Sequence, residues 1–138
     1  MMFRSRRADV VGGGMSARVR LDRRTKNLIP RLERGDIAVI HHQDIDRVAA
    51  EGLVAAGAIA VVNAAPSMSG RYPALGGLVL LQAGIPVIDN IGEAAFNRIS
   101  DGDWLTIVDQ RLYLDSIAVG KGVRRSVDEL ETQLELAR

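Results

Sequence analysis

Cysteine is absent from the 138 residues, which removes disulfides, thiolate nucleophiles and cysteine-held zinc at once and suits a reducing compartment. Aromatic residues are nearly absent too: one Trp, two Tyr and two Phe. Phe96, Trp104 and Tyr113 are scattered, so they read as core or sheet-face residues and make no base-stacking platform. Net charge is +1, so no global field argues for nucleic acid as a partner. No apolar run approaches the roughly 18 residues of a membrane span. At the N-terminus, Val10-Val11 followed by three glycines is no signal-peptide core. A soluble, cytoplasmic chain is expected.

What is present is 47% hydrophobic residues, enough for one domain with a substantial core. Residues 1–17, rich in Arg and Gly, read as a flexible basic arm. Asp22 to Arg34 has helical spacing at Leu28, Ile29 and Leu32, with Pro30 expected to kink or split it and Gly35 to close it. Asp36 to Ile40 is a short apolar strand ending in His41-His42, and Gln43 to Ala56 reads as a helix stopped by Gly57. Ala58 to Asn63 is continuous and β-branched, as in a parallel strand covered on both faces. Pro86 to Asp89, Trp104 to Val108, Arg111 to Leu114 and Ile117 to Val119 are further strands, with a short helix over Gly92 to Ile99. Ser126 and Glu129 form a capping box, and Val127, Leu130, Leu134 and Ala137 mark one helical face. That helix carries no terminating signal, so a truncated C-terminal helix is expected at 126–138, the start of a linker or a dimerisation helix. The prediction is an α/β domain over 18–125, a mixed sheet flanked by helices.

The run from Asn63 to Pro86 is the most informative stretch. It leaves a strand, crosses a Pro/Ser/Gly loop, enters an apolar helix and turns through Gly84-Ile85-Pro86 into the next strand. Loops that empty a strand into a helix start collect unpaired backbone N–H groups and bind anions. Pro73 fits the first helical position, which would leave the N–H groups of Ala74, Leu75 and Gly76 facing the loop. Ser67, Ser69, Gly70, Arg71 and Tyr72, with Asn63, Asp89 and Asn90 at neighbouring strand ends, are the candidate ligand- or partner-binding residues. The alternative is that the serines satisfy loop backbone and Arg71 sits in a salt bridge. The following helix is apolar on every side, and Gly76-Gly77 weakens it by about 1 kcal/mol per Gly relative to Ala. Either that helix is fully covered or it meets a second copy or a further domain; the contact is the favoured reading.

Other candidates are weaker. His41 and His42 with Asp44 and Asp46 have ligand chemistry, but neighbours on a strand point to opposite faces, and a polar strand end that caps the next helix through Gln43 or Asp44 is simpler. Asp101 and Asp103 flank Gly102 and belong to a turn. No catalytic residue, metal or cofactor is expected.

Two resemblances follow. The segments 35–40, 56–62, 83–87 and 100–107 resemble the swivelling phosphohistidine domain of phosphoenolpyruvate-using enzymes. In that family a Thr-Ser-His triplet opens the helix before the Gly-Ile-Pro turn. Here the triplet falls on Pro73, Ala74 and Leu75, and leucine cannot carry a phosphoryl group. More closely, Ala17 to Lys26, Gly35 to Ile40, Asp44 to Arg47, Val61 to Ala64 and above all Ser67-Met68-Ser69-Gly70-Arg71-Tyr72-Pro73 resemble the N-terminal part of actinobacterial SteA-like cytokinetic-ring proteins. The likeness spans nearly all of 17–138. It implies a larger protein with a thiamine-pyrophosphokinase-like domain downstream and a C-terminal membrane anchor, acting at the division septum with the membrane partner SteB to influence peptidoglycan hydrolysis.

Two functions are therefore expected. One is a non-catalytic interaction domain, a homodimer docking onto its absent C-terminal domain. The other is a phosphometabolite- or nucleotide-binding domain, taking a phosphate-bearing ligand, that contributes to an enzyme site completed by that domain.

Overall fold

Alternate residues of the central strands face two separate cores, which is why those strands read as unbroken apolar runs. The computed structural model describes residues 14–71 and 73–137. Four strands, β1 (Met15–Leu21), β2 (Ile37–Ile40), β3 (Ala60–Asn63) and β4 (Val87–Asp89), lie parallel and side by side in chain order. They are joined by α1 (Thr25–Leu28) with a tight helical turn over Ile29–Arg31, then α2 (Arg47–Ala56) and α3 (Gly76–Gln82). Ala38, Ile40, Val61 and Val87 pack against Leu28, Leu53 and Leu80 of these helices, so all three crossovers cover one face.

The opposite face looks onto the antiparallel part of the same sheet. Beyond β1 run β5 (Trp104–Val108), β6 (Arg111–Leu114) and β7 (Ile117–Lys121), all antiparallel, while β8 (Val123–Arg124) pairs antiparallel with β4 at the far edge. Ile37, Val39, Ala60, Val62 and Ile88 meet Leu105, Ile107, Leu112 and Val119 across this core, and α4 (Gly92–Arg98) adds Ala95 and Phe96. The expected α/β architecture with a mixed sheet flanked by helices is what the chain adopts.

The strand order β7-β6-β5-β1-β2-β3-β4-β8 places β7 and β8 at opposite ends, yet only Gly122 separates them in sequence. The sheet therefore curls around the inner core, and one continuous segment bridges its two edges. The Gly122 N–H donates to the Gln110 carbonyl at 2.9 Å and the Arg125 N–H to the Val87 carbonyl at 2.9 Å. A Cβ on Gly122 would strike the Asp89 carbonyl and the Ile88 and Ile91 side chains.

Three local expectations are corrected. Residues 15–17, expected within the arm, open the central strand β1, while 1–13 lie outside the described residues. The arginines of β1 disguised its alternation: Ala17 and Val19 are buried, while Ser16 meets Thr106 Oγ1 at 2.7 Å and Arg18 grips Asp36 through Nε and Nη2 at 3.0 and 2.9 Å. The helix expected over 22–34 is confined to α1 and the turn containing Pro30, because proline supplies no N–H and its ring blocks a continuing α-helix. α2 begins at Arg47 rather than Gln43, because Asp44 takes a left-handed φ of 55°, and its cap is Asp46, whose Oδ1 accepts from the Ala49 N–H at 2.9 Å. β8 had no expectation at all, being two residues long.

Burial pushes the Asp36 carboxyl up, but the Arg18 guanidinium, the Glu33 N–H and the charge of Arg20 outweigh it and hold the group below its ordinary value. A carboxyl depressed on folding stabilises the protein above the ordinary carboxylate range and loses that contribution as pH falls through the folded value. The unfolding free-energy gap between wild type and Asp36→Asn, followed by urea denaturation, is expected to shrink between about pH 6 and about pH 2.5; a gap that widens on acidification refutes the assignment. Gly122→Ala should destabilise by about 2 kcal/mol in the same assay, since the added methyl overpacks the bridge between the two edges.

Candidate functional site

The loop leaving β3 is built around a buried polar cluster, not an open anion cradle. Asn63, Ser67 and Asp89 are all fully buried. Asn63 ends β3, and its side-chain amide mimics a strand: Oδ1 accepts from the His42 N–H at 3.0 Å and Nδ2 donates to the His42 carbonyl at 2.8 Å. The same Oδ1 accepts from Ala65 N–H at 3.0 Å, turning the chain, while Nδ2 reaches Ser67 Oγ at 3.1 Å. Ser67 in turn donates twice to Asp89, from its N–H at 2.8 Å and its hydroxyl at 2.6 Å. Arg125, just after β8, completes the set by donating Nε to Asp89 Oδ2 at 2.9 Å and Nη1 to Glu129 Oε2 at 2.6 Å.

Every donor aimed at Asp89 suits an ionised carboxylate. Burial nevertheless pushes this carboxyl above its ordinary value, against the pull of Ser67 and Arg125. Burial also works against the Arg125 charge, yet Asp89 and Glu129 more than compensate and hold its guanidinium above its ordinary value.

The remaining candidates are arranged differently. Ser69 binds Asp44 through its N–H at 2.7 Å and its hydroxyl at 2.9 Å, and its Oγ accepts from the Arg71 N–H at 3.2 Å. Gly70, at φ 89°, and Arg71 form an exposed tip. Asn90, next to Asp89, is exposed at φ 60°, and its N–H donates to the Ala65 carbonyl at 3.4 Å; Tyr72 lies outside the described residues. So the structure joins Asn63, Ser67 and Asp89, sets Ser69 beside them on a second carboxylate, and leaves Gly70, Arg71 and Asn90 at the surface.

α3 starts at Gly76, three residues later than Pro73, and the Gly76 N–H already donates to the Ile45 carbonyl at 2.8 Å. A Cβ at Gly76 would strike that same carbonyl, which is the backbone approach that this glycine permits. The small cavity before α3, about 160 Å³, is lined by Asp44, Asp46, Arg47, Pro73, Ala74 and Leu75. α3 itself is covered within the chain. Met68 and Leu78 pack with Leu130 and Leu134 of α5 (Val127–Ala137), and Leu75 and Leu81 border that cluster. The coverage by α5 removes the need for a second copy to hide this helix.

No protein-family model matches the chain, and no curated protein matches it.

Sequence reading missed Arg125, which holds Asp89, and named Asp44 only as a possible ligand or helix cap, not as the partner of Ser69. A signal existed for the first: Arg125 and Glu129 stand four apart, the spacing of a helical ion pair. The capping box forms only in half, since Ser126 Oγ accepts from the Glu129 N–H at 3.2 Å while the Glu129 carboxylate turns to Arg125. Among the described residues no group of three His, Asp or Glu side chains is placed to hold a metal ion.

Removing one partner of a buried ion pair strands the other, at a cost of about 3 kcal/mol. Asp89→Ala and Arg125→Met are each expected to lose roughly that much stability, while the double variant loses less than the sum by at least about 1 kcal/mol. Urea denaturation of the four proteins measures the coupling, and additive losses overturn the pairing.

Proposed function

We propose that this chain is a non-catalytic interaction domain of a cell-division protein of the SteA-like kind. In this reading it acts at the cytoplasmic side of the septum, with a SteB-like membrane partner, to influence peptidoglycan hydrolysis when cells separate. The carrying observation is the use made of Leu75. At the position where a swivelling domain holds its reactive histidine, Leu75 caps the start of α3 and packs beside the Met68–Leu78–Leu130–Leu134 cluster. A residue that can transfer nothing is thus spent on seating the C-terminal helix.

The hydroxyls around it are spent likewise, on Asp89 and Asp44. What the loop still offers to a partner is its tip, where the Arg71 side chain is exposed and has no hydrogen bond or ion pair among the described residues. A loop presenting one guanidinium without a partner among the described residues suits recognition of a partner's carboxylate. Anchoring to the membrane would come from elsewhere in a longer protein, since among the described residues no helix is long and apolar enough to cross one.

Full-length protein with residues 14–137 deleted should fail to co-purify with the membrane partner and should leave daughter cells chained. Arg71→Glu should weaken capture several-fold, roughly the loss of one charge-assisted contact and its replacement by repulsion. Normal separation and undiminished capture by the deletion protein would sink the reading.

A further inference from the structure

A cleft lies elsewhere, outside the carboxyl ends of β1 and β2, between the loops that lead into α1 and α2. Crevices at the carboxyl ends of parallel strands are where open α/β sheets hold their ligands. This one encloses about 560 Å³, within the range of small-molecule sites. One wall is apolar, made by Ile29, Val48 and Ala49, and Val48 is 76% exposed, a large side chain left facing water. The other wall is basic, made by Arg23, Arg24, Lys26 and the two histidines.

Charge accounting sharpens the picture. Arg23 is already committed, bound to Glu93 and lying 5.0 Å over the Phe96 ring. His41 is likewise committed, with Nε2 at 3.1 Å from Glu93 Oε1. Asp46, the one carboxylate in the lining, is committed as the cap of α2. Arg24 and Lys26 are exposed, and their side chains have no hydrogen bond or ion pair among the described residues. His42 stands between these groups with its ring fixed: Nδ1 is 2.7 Å from Oγ1 of the buried Thr25, which leaves Nε2 without a partner among the described residues. Two uncompensated cations and one oriented imidazole therefore line the same cavity as the aliphatic Ile29, Val48 and Ala49.

We propose that this cleft binds a small phosphate-bearing ligand with a largely apolar body, of the size of a nucleoside diphosphate. The phosphates lie against Arg24, Lys26 and His42 Nε2, and the body lies on Ile29, Val48 and Ala49. Each phosphate oxygen is an acceptor for the fork of Arg24 and for the Lys26 ammonium. The aliphatic wall buries a flat or apolar group and gives selectivity against free phosphate. The site is separate from the Asn63–Asp89 loop, and the inference does not rest on the cell-division reading: it would hold or fail in a binding assay whatever the partner experiment returned.

The test is calorimetric titration of the whole chain at low salt with ADP, pyrophosphate and adenosine, alongside amide shift mapping by NMR. ADP is expected to bind saturably and more tightly than either pyrophosphate or adenosine, with shifts at residues 23–26, 41–43 and 46–49. The double variant Arg24→Glu/Lys26→Glu should lose at least about tenfold in affinity. Val48→Asp should weaken ADP more than pyrophosphate, and Lys121→Glu, on β7, should change nothing. All of these positions are exposed, so an unchanged melting temperature shows that a loss of binding is not a loss of fold. The proposal is overturned if neither ADP nor pyrophosphate saturates the chain below about 5 mM, if charge reversal leaves affinity intact, or if the shifts fall on Ser69 to Arg71.

Discussion

The fold turns on a carboxylate with no contact with water. Asp89 ends the last parallel strand, and three donors from two distant stretches of chain converge on it: two from Ser67 in the loop after β3 and one from Arg125 beyond the closing strand. Burying that charge is unfavourable by itself, and only a complete set of partners makes it tolerable. The interaction therefore specifies geometry more than it adds stability. β4, the 64–69 loop, the β8 edge and the first turn of α5 must be in place together, or a charge is stranded. Asn63 extends the same logic one strand further by clamping the His42 backbone.

This arrangement bears on chemistry as well as on architecture. A serine hydroxyl that donates to a buried carboxylate at 2.6 Å resembles the start of a nucleophile–base pair. Full burial of both groups, with Arg125 holding the carboxylate from the other side, closes that route to a substrate. The same residue types that suggest an anion site in the loop are therefore used inward, and Ser69's partner Asp44, together with Asp46, lines the space that an anion would have entered. Further positive charge at this end of the sheet stands in the loops after β1 and β2.

The fold was legible wherever hydrophobic continuity carried it. The runs at 36–40, 58–63 and 86–89 became β2, β3 and β4, the helix stop at Gly57 adopts φ 88°, and the 104–114 hairpin pairs as its alternation suggests. The central strand β1 was not legible, because its outward residues are arginines whose partners, Asp36 and Asp101, lie far along the chain. For the site, residue choice was better founded than role. Asn63, Ser67, Ser69 and Asp89 do gather at the strand ends, but whether a hydroxyl faces a ligand or a carboxylate depends on Arg125 and Asp44, and no local pattern announces those contacts. His41 and His42 illustrate the converse: two histidines without metal-ligand spacing gained meaning only once Thr25 and the cleft were seen beside them.

The segment that bridges the two sheet edges also dictates an order of events. β1, near the start of the chain, lies in the middle of the sheet and pairs with β5, while the edges are joined only by residues 117–124. Most of its pairings are long-range, so loop-closure entropy must be lost before they form. On a ribosome the inner core stays open to water until this bridging segment has emerged, leaving the apolar strands β2, β3 and β4 exposed in the meantime. Assembly is therefore close to all-or-none along the chain, and anything fused after α5 begins its own folding only once the domain behind it is able to shut.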